Sequence, residues 1–171
     1  MASKPMSDAE ILRIQRFRKR LFRALCVLGF FILLGWAVSP WIKIGFNGTD
    51  SVDGYVFLIV KNVKPERGEL MAFWPPKNDF YNNIWFVKYA KGVAGDVVDV
   101  RGQSFFLNGE YVGDAKTVSA MGVPLQAAKP GRILGGYYFV WTPHKDSFDS
   151  RYAQIGLISE RSVIGRAYRI F

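Results

Sequence analysis

Nineteen consecutive residues without a charge, Ala24 to Ile42 (ALCVLGFFILLGWAVSPWI), come directly after a basic cluster. As a helix rising ~1.5 Å per residue this run reaches about 28 Å, close to the thickness of a bilayer's hydrocarbon core. Trp36 and Trp41 stand near its far end, where indole rings favour the headgroup layer, and Arg18 to Arg23 stand at its near end. Residues 1–42 hold seven basic side chains (Lys4, Arg13, Arg16, Arg18, Lys19, Arg20, Arg23) against two acidic ones, Asp8 and Glu10. The positive-inside bias predicts a cytoplasmic basic N-terminus over 1–23, a transmembrane anchor over 24–42, and an outer domain over 43–171. A cleavable leader has the same polarity, and Ala37-Val38-Ser39 offers small residues at the right spacing. Pro40 opposes cleavage there, because it has no N–H and a fixed φ and so fits an extended protease-bound strand badly. Cys26 lies inside the run and reads as an apolar packing residue.

Beyond the run the positive charge is diluted, with 16 basic and 12 acidic residues over 43–171 and no dense Lys/Arg tract. Neither a nucleic-acid partner nor a nucleic-acid-binding helix is expected. One Cys and one His in the whole chain supply no closed zinc site, no disulfide and no Ser-His or Cys-His pair with a partner to spare. No metal and no cofactor is expected, and chemistry must come from hydroxyls, amines and carboxylates.

The outer domain reads as mostly β, with candidate strands at Tyr55–Val60, Leu70–Phe73, Ile84–Ala90, Val97–Arg101, Ser104–Leu107, Tyr137–Trp141 and Ser162–Ile170. Turn signals separate them, among them Pro75-Pro76-Lys77-Asn78-Asp79, Ala94-Gly95-Asp96 and the hairpin signal Asn108-Gly109. Residues 113–136 are small, polar and Pro/Gly-containing, and are expected to form a long surface insertion. Met71 to Pro76 with Phe80, Tyr81 and Trp85 form an apolar-aromatic patch, read either as core or as a loop lying in the headgroup layer.

Lys88 sits inside the strongest strand signal, on the face of Ile84, Phe86 and Ala90. Burial on such a face can lower a lysine pKa by up to about 3–5 units, which would make the amine a usable general base near neutrality. The alternative is an edge-strand lysine whose stem snorkels to water.

Lys88 with Gly92, Gly95 and Asp96 downstream of it resembles the K-x-x-x-G-x-x-G-D signature of the signal peptidase I family of membrane-anchored Ser-Lys proteases. Arg67-Gly68-Glu69 feeding Met71-Ala72-Phe73 resembles that family's R-G-[DE] turn and strand. Ser147-Phe148-Asp149-Ser150-Arg151 resembles its S-x-D-S-R box, and Ile164-Gly165-Arg166-Ala167 its closing strand. The resemblance spans nearly the whole outer domain and implies a signal-peptidase-like β-rich catalytic domain after one N-terminal transmembrane helix.

The nucleophile in such a protein lies just past the anchor, where this chain reads Asn47-Gly48-Thr49-Asp50-Ser51-Val52-Asp53-Gly54-Tyr55. The usual S-x-S-M-x-P-T is replaced by an N-x-T-x-S box similar to that of the TraF-type conjugation-system peptidases. The resemblance implies Ser51 as nucleophile, Lys88 as general base, Ser147 as the hydroxyl that orients the amine, and Thr49 as an oxyanion donor. Asp149 and Arg151 would be a structural ion pair. It further implies a bacterial inner-membrane protein with a periplasmic catalytic domain, whose partners are the lipid bilayer, a preprotein or prepilin and a conjugative secretion machinery. Its reaction would be hydrolysis or ring closure of a pilin. The competing readings are a non-catalytic single-pass envelope assembly factor and a LexA-like self-cleaving protein, and the latter has no need of an anchor.

Overall fold

The computed structural model describes residues 7–48, 51–78, 81, 83–119 and 121–171, with the side chain of Ala9 also left aside. The Thr49 and Asp50 positions of the nucleophile box, and Asp79 and Phe80 of the Pro-rich turn and aromatic patch, lie outside the described residues. The chain divides into two compact units, residues 1–40 and 41–171.

The first unit is one helix, α1 (Asp8–Val38). Ser7 caps it: its hydroxyl accepts from the Glu10 N–H, and the Glu10 carboxylate accepts from the Ser7 N–H at 2.9 Å. The stretch Glu10–Val38 is long and apolar enough to cross a membrane. The helix stops short of the expected end of the anchor at residue 42, because Pro40 cannot continue it and Ile42 already opens a strand.

Among the described residues, the second unit holds eleven strands in two antiparallel sheets. The first contains β1 (Ile42–Phe46), β2 (Val56–Lys61), β3 (Leu70–Phe73), β4 (Phe86–Gly92), β9 (Tyr137–Trp141), β10 (Ile158–Ser159) and β11 (Val163–Arg169), in the spatial order β1-β2-β11-β3-β4-β9-β10. The second contains β5 (Val97–Arg101), β6 (Ser104–Leu107), β7 (Glu110–Asp114) and β8 (Gly131–Arg132), in the order β7-β6-β5-β8. The protein is mostly β with an N-terminal apolar helix, as its sequence predicts.

The core follows from alternation. On β4 the buried positions are Lys88, Ala90 and Gly92, and Met71, Phe73, Ala90, Val140, Ile155 and Ile158 close over one face of the first sheet. Val98, Phe105, Leu107, Val112, Ile133 and Phe139 fill a second cluster shared between the sheets. Residues 113–136 are therefore more than a surface excursion, since Ala115 and Ile133 are buried in that cluster and Gly131–Arg132 pair with β5. Met71, Ala72 and Phe73 are fully buried, so that part of the aromatic patch is core, whereas Trp74 and Tyr81 remain exposed.

Candidate active site

β4 is an interior strand, paired with β3 through Met71 opposite Lys88 and with β9 from Tyr89 onward. The edge-strand alternative for Lys88 does not apply, and the side chain is only 4% exposed. Its Nζ donates to Ser147 Oγ at 2.9 Å and lies 5.7 Å from the Phe86 ring centroid. Burial lowers the Lys88 pKa to about 8, with the Asp149 carboxylate opposing the shift and the Arg151 guanidinium adding to it. Lys91, the nearest cation in sequence, takes the other face of the strand, where it pairs with Glu110 at 3.0 Å and lies over the Trp141 ring. The cation that acts on Lys88 is instead Arg151.

Ser51 lies in the connection between β1 and β2. This turn is braced by the Asn47 side-chain amide, which donates to the Val52 and Gly54 carbonyls at 2.8 and 3.0 Å. Val52, 4% exposed, anchors it from below, and Gly54 has φ +111°, a conformation side chains rarely adopt. The Asn and Gly of the box thus shape the backbone around the serine. Ser51, Lys88 and Ser147 line one cleft of about 630 Å³, together with Phe46, Phe57, Tyr81, Trp85, Phe86, His144, Asp146 and Phe148.

The Ser147 loop is held from within. The Arg151 guanidinium grips Asp149 with two bonds of 2.9 Å, at 3% and 0% side-chain exposure. Asp149 also accepts from the Arg151 N–H, and Ser150 Oγ accepts from the Val140 N–H at 2.8 Å while donating to the Gly156 carbonyl at 2.6 Å. On the far side of β4, Arg67 forms a two-bond pair with Asp96, which accepts also from Asn108 and the Val93 N–H. The Arg67-Gly68-Glu69 turn is thereby tied to the Gly95-Asp96 end of the Lys88 motif.

The family model "Signal peptidase, peptidase S26" matches residues 14–171, which takes in the Asn47–Tyr55 segment, Lys88 and the Ser147 loop together. The chain belongs to the signal peptidase family. It is 31% identical over 97 residues to a signal peptidase I of Bacillus licheniformis, covering 52% of each. The chain thus spans about half the length of that curated relative. It is also similar to the crystal structure of a signal peptidase I from Enterococcus faecalis, with 24% identity, a TM-score of 0.39, and coverage of 60% of this chain and 96% of that one.

Within this signal peptidase domain the structure adds residues to the cleft that motif spacing does not single out. Asp146 and Phe148 flank Ser147, and Trp85 reaches the cleft beside Gly45, where a Cβ would lie 2.0 Å from the indole. A glycine on an edge strand facing a tryptophan was the available signal, and it is visible only once the pairing is known.

Proposed function

We propose that the chain is a membrane-anchored serine endopeptidase in which Ser51 is the nucleophile and Lys88 its general base. The observation that carries this reading is a buried lysine amine, bonded to the Ser147 hydroxyl, in the same cleft as Ser51. A serine hydroxyl needs a base to take its proton as it attacks, and at a pKa of about 8 roughly one Lys88 in ten is neutral at pH 7. As Ser51 Oγ attacks the scissile carbonyl, neutral Lys88 accepts its proton and then hands it to the leaving amine, with Ser147 holding Nζ in place. The Ser51 N–H and the Thr49 hydroxyl are the candidate donors to the developing oxyanion. Water then hydrolyses the acyl-enzyme, or a substrate amine attacks it and closes a ring.

The anchor-sized helix and its basic flank support insertion in a bacterial inner membrane, N-terminus in the cytoplasm and residues 43–171 in the periplasm. A reporter fused after Phe171 should be active only in the periplasm; activity in the cytoplasm would reverse the orientation. Exposed Trp74, Tyr81 and Ile84 support a cleft that works at headgroup depth, where a substrate's own span ends. The N-x-T-x-S box supports a pilin precursor of a conjugative system as substrate. The purified full-length protein in detergent should shorten such a prepilin and its Ser51→Ala form should not. Mass spectrometry of the product reads the outcome, a cyclic pilin being one water lighter than its linear counterpart. Equal processing by both proteins would exclude the reading.

A further inference from the structure

The hydrogen bond from Lys88 to Ser147 depends on a loop without regular structure, and within that loop the restraints on the near side of Ser147 are slight. The Ser147 N–H donates to the His144 carbonyl at 3.1 Å, the Asp146 N–H donates to His144 Nδ1 at 3.2 Å, and Arg151 Nη2 reaches the His144 and Ser147 carbonyls only at 3.4 and 3.5 Å. A further tie comes from outside the loop, where the Lys116 ammonium pairs with the Asp146 carboxylate, next to Ser147.

Lys116 projects from a rigid base. Ala115, 3% exposed, packs in the core, and its N–H donates to the Gln103 carbonyl at 2.8 Å. The Lys116 N–H donates to Tyr152 Oη at 3.2 Å, and Arg151 Nη1 donates to the Asp114 carbonyl at 3.2 Å. The returning arm is fastened as well: Leu125 N–H to the Thr117 carbonyl, Ala128 N–H to Arg151, and Ala153 N–H to Gln126, each 2.8 Å. At Gly113 a Cβ would lie 2.6 Å from Arg151 Nη1, so β7 packs directly on the buried guanidinium.

We propose that Lys116 is a positioning residue: through its ion pair with Asp146 it holds the Ser147 loop so that the Ser147 hydroxyl stays on the Lys88 amine. This rests on the peptidase reading for its purpose but not for its test. The pair is 46% and 40% exposed, and an exposed ion pair adds little to global stability. Its loss should therefore register at Lys88 and not in the melting temperature. Among the described residues, the charged and titratable groups near Lys88 include Asp149 and Arg151 on the loop, with Tyr81, His144 and Asp146 on the cleft wall.

The test uses full-length protein in detergent with 15Nζ-labelled lysine, in a Ser51→Ala background so that no turnover is needed. Lys116→Met and Asp146→Ala are each expected to raise the Lys88 pKa by roughly half a unit or more, because a loosened loop admits water and relieves the desolvation of the amine. The exchanged pair, Lys116→Asp with Asp146→Lys, should restore it. In the Ser51 enzyme both single changes should lower kcat by about tenfold to a hundredfold with KM unchanged. Simple through-space electrostatics predicts shifts of opposite sign, up for Lys116→Met and down for Asp146→Ala, so the aspartate variant decides between the two. Shifts of opposite sign, or none, would overturn the proposal. A wild-type protein that cleaves nothing would instead refute the peptidase reading, and the pKa measurement would still decide the role of Lys116.

Discussion

Lys88 combines two properties that oppose each other, full burial and a charge-bearing head, and both bear on measurable behaviour. If the neutral amine is the base, kcat should rise with pH through about 8 and level off above it, because below that value the amine already carries the proton it must accept. Lys88→Arg should be inactive throughout, since a guanidinium does not release its proton at accessible pH. A flat profile from pH 5 to 10, or an active arginine variant, would remove Lys88 from the base role. The same burial has a stability cost with a defined sign. The folded pKa of about 8 lies below the ordinary 10.5, so the unfolded chain binds more protons between those values and stability rises with pH across that window. The cost is fully present below about pH 8. Lys88→Met should therefore unfold at higher denaturant concentration than the parent at pH 7, by on the order of 3 kcal/mol at most, with the gap closing above about pH 10. A methionine variant less stable than the parent at pH 7 would contradict this. Lys88 could be singled out in the sequence because a lysine on an apolar strand face is anomalous. Arg151 as the cation acting on it, and Asp146 beside Ser147, could not, because both act through a loop whose path only tertiary structure sets.

The strands with clean alternation or a flanking turn signal were legible, and Leu70–Phe73, Val97–Arg101, Ser104–Leu107 and Tyr137–Trp141 form where the pattern puts them. What escaped were elements defined by their partners. β1 is hidden in the tail of the apolar run, and β8 and β10 are two residues each, too short to show a period. Gly165 illustrates how a motif glycine acquires a reason from pairing. It lies on β11 at a register shift, and a Cβ there would approach the Val60 carbonyl oxygen to 2.0 Å. Backbone on the neighbouring strand cannot rotate away as a side chain can. Gly165→Ala should therefore cost about 3 kcal/mol, read as a lower denaturation midpoint, whereas a substitution tolerated within error would place the strand differently.

Over the whole molecule, a helix of membrane-crossing length precedes a β domain whose first sheet and its connections bring Ser51, Lys88 and Ser147 to one cleft. The sequence carries the order of these parts, because each motif is local. It does not carry the shape of the cleft, which is assembled from the β1–β2 turn, β4 and the loop after β9 and so depends on non-local pairing. The proposed mechanism requires Ser51 Oγ to be the atom that is acylated. Full-length protein in detergent, mixed with an activated peptide ester at pH 9, quenched in acid and mapped by mass spectrometry, reads this directly, since an activated ester acylates faster than the acyl-enzyme hydrolyses. The acyl mass should appear on the fragment containing Ser51, with no adduct in Lys88→Ala. An adduct on Ser147, or undiminished ester turnover by Ser51→Ala, would contradict it.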